Sequence, residues 1–324
     1  MRRIVPAIVC SLALSACAVP HHRDDITVEK TAARQSEVTE IFDRYREVRR
    51  SAVELLDPKP LSTVETGAVL AIDSGSFEVS QRLAQTQEGD TGAVEVTDVE
   101  VPRFAQYPLW FYAVVRDPEL GVNRVQIFER ASSVDPWLLT ASPETLAATS
   151  LPPIRRSSGA ALTVAADDGT GMSMSPQDAA AAYAAVLADP KAEEAADIPD
   201  DSFIRQMRST AQTSAALKDV QFSQTWEAQD VSYALRTTDG GALAFVTLLR
   251  KDTYTVDDGL TVTWPEGSPQ RAFLSEGISG SGTLSYLHQV LLYLPGGKGA
   301  PRALGQYGGV VSGEGGESGA TGVR

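Results

Sequence analysis

Along the chain, apolar positions first keep a helical period and then a strand period, and this order occurs twice. Val38, Ile41, Phe42, Tyr45, Val48, Ala52, Leu55 and Leu56 recur at the three-and-four spacing of one helix face, which predicts a helix over 31–57 stopped by Pro58 and Pro60. Its other side carries Arg44, Arg46, Arg49 and Arg50 among Glu40, Asp43, Glu47 and Glu54. That is the pattern of a solvated face laced with ion pairs, with an arginine-based anion site as the alternative. Segments 64–72 and 76–87 predict two shorter helices on either side of Asp73-Ser74-Gly75. The period then falls to two over 93–101 and 123–132, and 108–116 between them is rich in aromatic and β-branched residues; with a turn at 118–121, this predicts hairpin-linked strands. The aromatic group Phe104, Tyr107, Trp110, Phe111, Tyr112, Phe128 and Trp137 reads as the core of that sheet, the lining of a ligand cavity being the alternative.

From 141 to 175 neither period holds. Pro152, Pro153, Gly159, Gly171 and Ser175-Pro176 mark a connector with one short strand over 160–165. Asp167-Asp168-Gly169-Thr170-Gly171 has the opening of a calcium loop without its alternating acids or closing glutamate, so it reads as a turn. The first order of elements then returns. A helix over 176–187, with Ser175 as its cap and proline in its first turn, precedes a helix over 200–217 whose Phe203, Met207 and Leu217 point inward. Strands follow over 220–227, 231–237, 242–249, 253–256, 260–264, 285–294 and 302–311, with turns at Asp239-Gly240-Gly241 and Asp257-Asp258-Gly259. Helices followed by antiparallel strands, twice over, predict an α+β fold of two tandem domains, 26–140 and 176–312, joined by a linker over 141–175.

Ahead of the first helix, Arg2 and Arg3 precede an apolar run over 4–14 interrupted only by Pro6 and Ser11, and the small residues Ser15 and Ala16 then lead to Cys17. This is the layout of a secretory signal over 1–16. The run is far shorter than the roughly 20 residues that cross a bilayer as a helix, which disfavours an uncleaved anchor. An ordinary secretory signal followed by a chance cysteine is the other alternative. Residues 17–25 read as a tether, and its His21 and His22 lack the third and fourth ligands of a stable metal site. The glycine, serine and glutamate of 313–324 predict a disordered tail.

Charge narrows the partners. The 324 residues carry 28 basic and 42 acidic side chains; Arg2 and Arg3 leave with the signal, so 26 against 42 remain, a formal charge of −16. Such a chain repels phosphate backbones and anionic headgroups, so no nucleic-acid partner is expected and membrane association is expected through lipid, not a basic face. The chain has 2 cysteines, Cys10 inside the signal and Cys17 at its end, which leaves the globular part without a thiol for a disulfide, a zinc site or a nucleophile. His-Glu-x-x-His, Gly-x-Ser-x-Gly, a P-loop and Ser-x-x-Lys are all absent. His288, in the apolar stretch 286–294, reads as a satisfied core histidine, with a Ser-His-Asp arrangement as the alternative. The Gly/Ser-rich loop over 275–283 reads as a connector, and Asp257-Asp258 as a turn. No catalytic, cofactor-binding or metal-binding residue is therefore assigned, and no cofactor is expected.

Leu14-Ser15-Ala16-Cys17 is similar to the lipobox of bacterial lipoproteins, which implies that Cys17 is acylated and becomes the new N-terminus. Several acyl chains hold a protein firmly to a membrane. The location implied is the extracytoplasmic face of the cell membrane. The order of elements in each half resembles the NTF2-like cone, helices laid against a curved antiparallel sheet. With its lipobox, the helix holding Arg44-Tyr45-Arg46, the alanine-rich helix after Ser175-Pro176 and its preference for arginine over lysine, the whole chain resembles an uncharacterised lipoprotein family of GC-rich Gram-positive bacteria. That resemblance implies a domain of unknown function and supplies no catalytic residue. The function expected is non-catalytic binding or scaffolding in the cell envelope, toward an unknown envelope protein or small ligand. The alternative is a small-ligand receptor or enzyme using a pocket in an NTF2-like domain.

Overall fold

The computed structural model describes residues 29–85 and 94–315. The signal segment, Cys17, the tether histidines and the last nine residues of the tail lie outside the described residues. The chain opens with the short strand β1 (Lys30–Thr31) and the helix α1 (Gln35–Leu55), followed by a 3-10 turn over Lys59–Thr63 and α2 (Gly67–Leu83). Strands β2 (Glu95–Glu100), β3 (Arg103–Phe104), β4 (Leu109–Asp117), β5 (Val122–Arg130), β6 (Leu138–Ala141), β7 (Glu144–Leu146), β8 (Arg156–Ser157) and β9 (Ala160–Ala161) come next. The second half holds α3 (Pro176–Ala188), α4 (Ser202–Ala215), β10 (Val220–Ala228), β11 (Tyr233–Arg236), β12 (Ala242–Val256), the short α5 (Pro269–Phe273), β13 (Ser281–Leu294) and β14 (Arg302–Gly315).

Ten of these strands form one curled antiparallel sheet in the order β10-β12-β13-β14-β7-β5-β4-β2, with β11 beside β12 and β6 beside β5. The seam is the pairing of β14 with β7, through Gln306 and Glu144. Counted outward from it, the strands run β14, β13, β12, β10 on one side and β7, β5, β4, β2 on the other, and a helix pair precedes each set. Gly305 lets the seam close, because a Cβ there would overlap the Glu144 carbonyl. The segments expected as separate domains, 26–140 and 176–312, thus contribute to a shared sheet, and its seam strand β7 comes from 141–175, the segment expected as a linker.

Alternation along the strands assigns three layers of core. Leu109, Phe111, Ala113 and Val115 of β4 turn outward onto α1, where Phe42 meets Phe128 edge-on with ring centroids 5.0 Å apart. Ala242, Ala244, Val246 and Leu248 of β12 turn outward onto α3 and α4. The intervening residues face the inside of the curl, where Trp110, Tyr112 and Ile127 pack on Leu235, Leu243, Phe245 and Leu291 of the other half. Two-sided burial explains why β4 reads as a continuous apolar run and not as an alternating one.

Several expectations are corrected. The two helices expected over 64–72 and 76–87 are one among the described residues: α2 runs unbroken through Asp73-Ser74-Gly75, since the Asp73 carboxylate is held by partners and Gly75 lies flat on β14. Strands expected over 242–249 and 253–256 are one, β12, and 260–264 forms no hairpin with it; Val262 instead bridges Ile278. Leu55, expected inward, is 71% exposed. The tail expected to be disordered from 313 continues β14 to Gly315. Within 141–175, backbone groups pair with strands of the second half, as in the bridges Ile154 to Thr237 and Thr163 to Leu235.

Candidate functional site

The apolar stripe of α1 is interrupted once, where Arg49 stands four residues after Tyr45 and three before Ala52. The periodicity therefore carries a guanidinium into the interior, with a side chain only 17% exposed. Arg49 Nη1 donates to Glu65 Oε1 at 2.9 Å and to the Asp73 carboxylate. Tyr45 Oη reaches the same Glu65 oxygen at 3.3 Å, and the Tyr307 hydroxyl donates to Asp73 Oδ1. Tyr307 comes from β14 and Asp73 from α2, so the cluster ties the second half to the first.

Above it opens a cavity of about 220 Å³ lined by Tyr45, Arg49, Asp73, Arg124, Glu144 and Tyr307 among others. Arg124, on β5, bridges Asp117 at 3.2 Å and Glu144 at 3.0 Å, and Glu144 is the seam residue of β7. Burial pushes the Glu65 carboxyl well above the usual carboxylate range, with the neighbouring Asp73 charge adding to the rise and Arg49 opposing it. Its Oε2 is buried without a hydrogen-bond partner. Burial alone pulls the Arg49 guanidinium down, but Asp73, Tyr45 and Glu65 raise it overall, keeping it charged. Tyr307 is held well above the usual phenol range, first by burial and then by Asp73.

A second polar group lies on the outer face of the other half. Arg250 Nε donates to Asp252 Oδ1 at 2.9 Å, and its guanidinium stacks 4.1 Å from the Tyr286 ring centre. His288 is buried beside Phe203, Trp226 and Tyr286, and burial, reinforced by Arg250, lowers it to about 3. It is a core histidine as expected, but not a satisfied one: its Nε2 has no hydrogen-bond partner. Among the described residues no group of three or more His, Cys, Asp or Glu is placed to hold a metal ion. Arg44 and Arg46 remain on the solvated face, where Arg44 donates to the Thr63 carbonyl at 3.0 Å and Arg46 pairs with Asp43. Of the aromatic group, Trp110, Phe111, Tyr112, Phe128 and Trp137 are buried core, while Tyr107 is 37% exposed. Arg49, expected on the solvated face, is buried in the charged cluster; its spacing from Tyr45 and Ala52 is the sequence signal of that placement.

A family model described as a domain of unknown function, DUF8094, matches residues 29–315. The chain belongs to the DUF8094 family. The match spans both halves and the segment between them. Over 293 residues, 86% of either chain, this DUF8094 protein is 27% identical to an uncharacterized lipoprotein of Streptomyces avermitilis. Over 317 residues, 95% of this chain and 93% of the relative, it is 26% identical to an uncharacterized lipoprotein of Streptomyces coelicolor. No solved structure matches it. Among the described residues no helix is long and apolar enough to cross a membrane.

Proposed function

We propose that this DUF8094 protein is a non-catalytic binding protein of the cell envelope, lipid-anchored through Cys17 on the extracytoplasmic face of the membrane. The lipobox-like Leu14-Ser15-Ala16-Cys17 supports the anchor, as does the name lipoprotein carried by both relatives. The binding role rests on the polar cavity where the halves meet: an occupant there touches β5, β7 and α1 of one half and Tyr307 of the other. Its charged side chains are paired with one another, which suits holding a polar ligand in a fixed frame better than lending a proton or an electron pair. The finer architectural reading, two NTF2-like cones in tandem, is supported by the repeated order of helix pair and four strands on either side of the seam.

Two measurements test this reading. A Cys17→Ser chain should lose metabolic lipid label and leave the membrane fraction; unchanged fractionation removes the anchor. A thermal-shift screen of polar metabolites should find a compound class that raises the melting temperature of the wild type and not of Arg124→Met. If no class separates the two, binding in this cavity is ruled out.

A further inference from the structure

The path of the curled sheet ends at β2 on one side and at β10 on the other, and the two ends are built differently. β2 carries Glu95, Asp98 and Glu100, and its register with β4 slips between Val96 and Asp98. Charge and a bulge are the devices that keep an edge strand from pairing with another chain. β10 has neither guard: its pairing with β12 runs without a slip from Val220 to Ala228, and Glu227 is its single charged residue.

The backbone of β10 is correspondingly half used. Gln229 N donates to the Thr247 carbonyl at 2.9 Å and Asp257 N to the Asp219 carbonyl at 3.3 Å, in the same register, so the odd-numbered residues are those that bond β12. Val220, Phe222, Gln224, Trp226 and Ala228 therefore aim their N–H and C=O groups away from the sheet. Where the same edge continues along β11, the corresponding groups are taken. Val164 N donates to the Ala234 carbonyl at 2.9 Å, and Arg236 N to the Leu162 carbonyl at 2.8 Å. Among the described residues no strand lies beyond β10.

The sequence of β10 is suited to pairing with itself. A two-fold axis at Gln224 sets outward-facing residues opposite one another, Phe222 against Trp226 and Val220 against Ala228 of the second copy. Aromatic pairs across strands stabilise a sheet. On the solvated face Ser223 meets Thr225 and Gln221 meets Glu227, so no like charges oppose. The axis also runs beside a groove of about 280 Å³ walled by Leu187, Pro190, Ala211, Ala215, Phe222 and Gln224 among others. Arg208 in that wall is paired with Asp200 at 2.8 Å, and among the described residues the wall carries no carboxylate. In a chain of formal charge −14, such a face is where a second copy approaches with least repulsion.

We infer that β10 is a dimerisation edge: two copies pair their β10 strands antiparallel about Gln224, joining their sheets, and the apolar grooves close on each other beside the axis. About ten backbone hydrogen bonds form across the junction. The contact is isologous, so it closes at two copies and does not propagate. It stands independently of the proposal made for the charged cavity.

Light scattering from the full chain in detergent, with micelles in large excess over protein, should read the mass of two chains at micromolar concentration. Ser223→Glu/Thr225→Glu sets carboxylates against carboxylates across the axis, while residue 225 gains an opposite charge in Lys251, its neighbour on β12. Melting at a concentration too low for dimers should be unchanged, and the dimer should weaken at least about tenfold. Mixing that variant with Ser223→Lys/Thr225→Lys should restore a dimer holding one chain of each, which a merely structural effect of either substitution would not do. A spin label on Glu227→Cys should lie about 20 Å from its copy, the rise of roughly six strand residues. A wild type that stays monomeric would overturn the inference and leave the edge to a strand of another protein. A dimer indifferent to the added carboxylates, or a label separation far from that value, would overturn it as well.

Discussion

Gly75 separates what the helix wants from what the fold requires. In an isolated helix, replacing an interior glycine with alanine gains about 1 kcal/mol. In this protein a Cβ at residue 75 would overlap the Val310 carbonyl oxygen and come within 3.3 Å of Val311 Cα, because α2 lies flat on β14. The obstacle is backbone, which cannot rotate aside as a side-chain end does. To accept the methyl group the helix must back away by on the order of 1 Å, a gap that forfeits a quarter to a half of each dispersion contact along it. Overpacking of this kind costs about 1–3 kcal/mol, and a backbone clash belongs at the upper end. Set against the gain in propensity, Gly75→Ala should destabilise by about 2 kcal/mol and lower the melting temperature by about 4 °C. Thermal unfolding by circular dichroism, with a urea titration alongside, reads both quantities. Ser74→Ala, one residue earlier and only half buried, should instead gain a few tenths of a kcal/mol. A Gly75→Ala protein as stable as the wild type, or more so, would refute the close approach of α2 to β14 and with it the packing of the two halves on each other.

Removal of the buried cation in Arg49→Met leaves the Asp73 carboxylate without its ion-pair partner and should cost about 3–5 kcal/mol in urea unfolding. Glu65 has a pKa in the folded protein raised above its unfolded value, so its contribution to stability is complete below pH 4.5 and is lost as pH rises through the folded value. Glu65→Gln, neutral throughout, should therefore flatten the alkaline decline, whose slope from one such group is at most about 1.4 kcal/mol per pH unit; an unchanged slope would show that Glu65 is ionised in the native state. His288 works in the opposite sense: its pKa is lowered from 6.5 to about 3, so the stability it contributes is present above 6.5 and lost as pH falls toward 3. His288→Gln should accordingly be less sensitive to acid than the wild type, as read from unfolding midpoints at a series of pH values.

What the sequence by itself determined are the features set by neighbours along the chain. The three-and-four spacing of Val38, Ile41 and Phe42 places α1, Ser175 and Pro176 start α3 as a cap and first-turn proline should, and Asp239-Gly240-Gly241 turns β11 into β12. The α+β class and its repeated order follow from those local signals. Only the tertiary structure decided what depends on partners distant in sequence. Asp73-Ser74-Gly75 has the composition of a turn, yet it is helix because Arg49 and Tyr307 satisfy the carboxylate and β14 needs the missing Cβ. Arg49 lies on a buried face because Glu65 and Asp73 await it there, and no pattern within α1 records acids that lie 16 and 24 residues further on. The seam of β14 with β7 is the extreme case, joining Gln306 to Glu144 across most of the second half. Hydrophobic period assigns a strand its inner and outer faces, but a strand edge has no side-chain signature, so which strands become neighbours is settled only when the sheet closes.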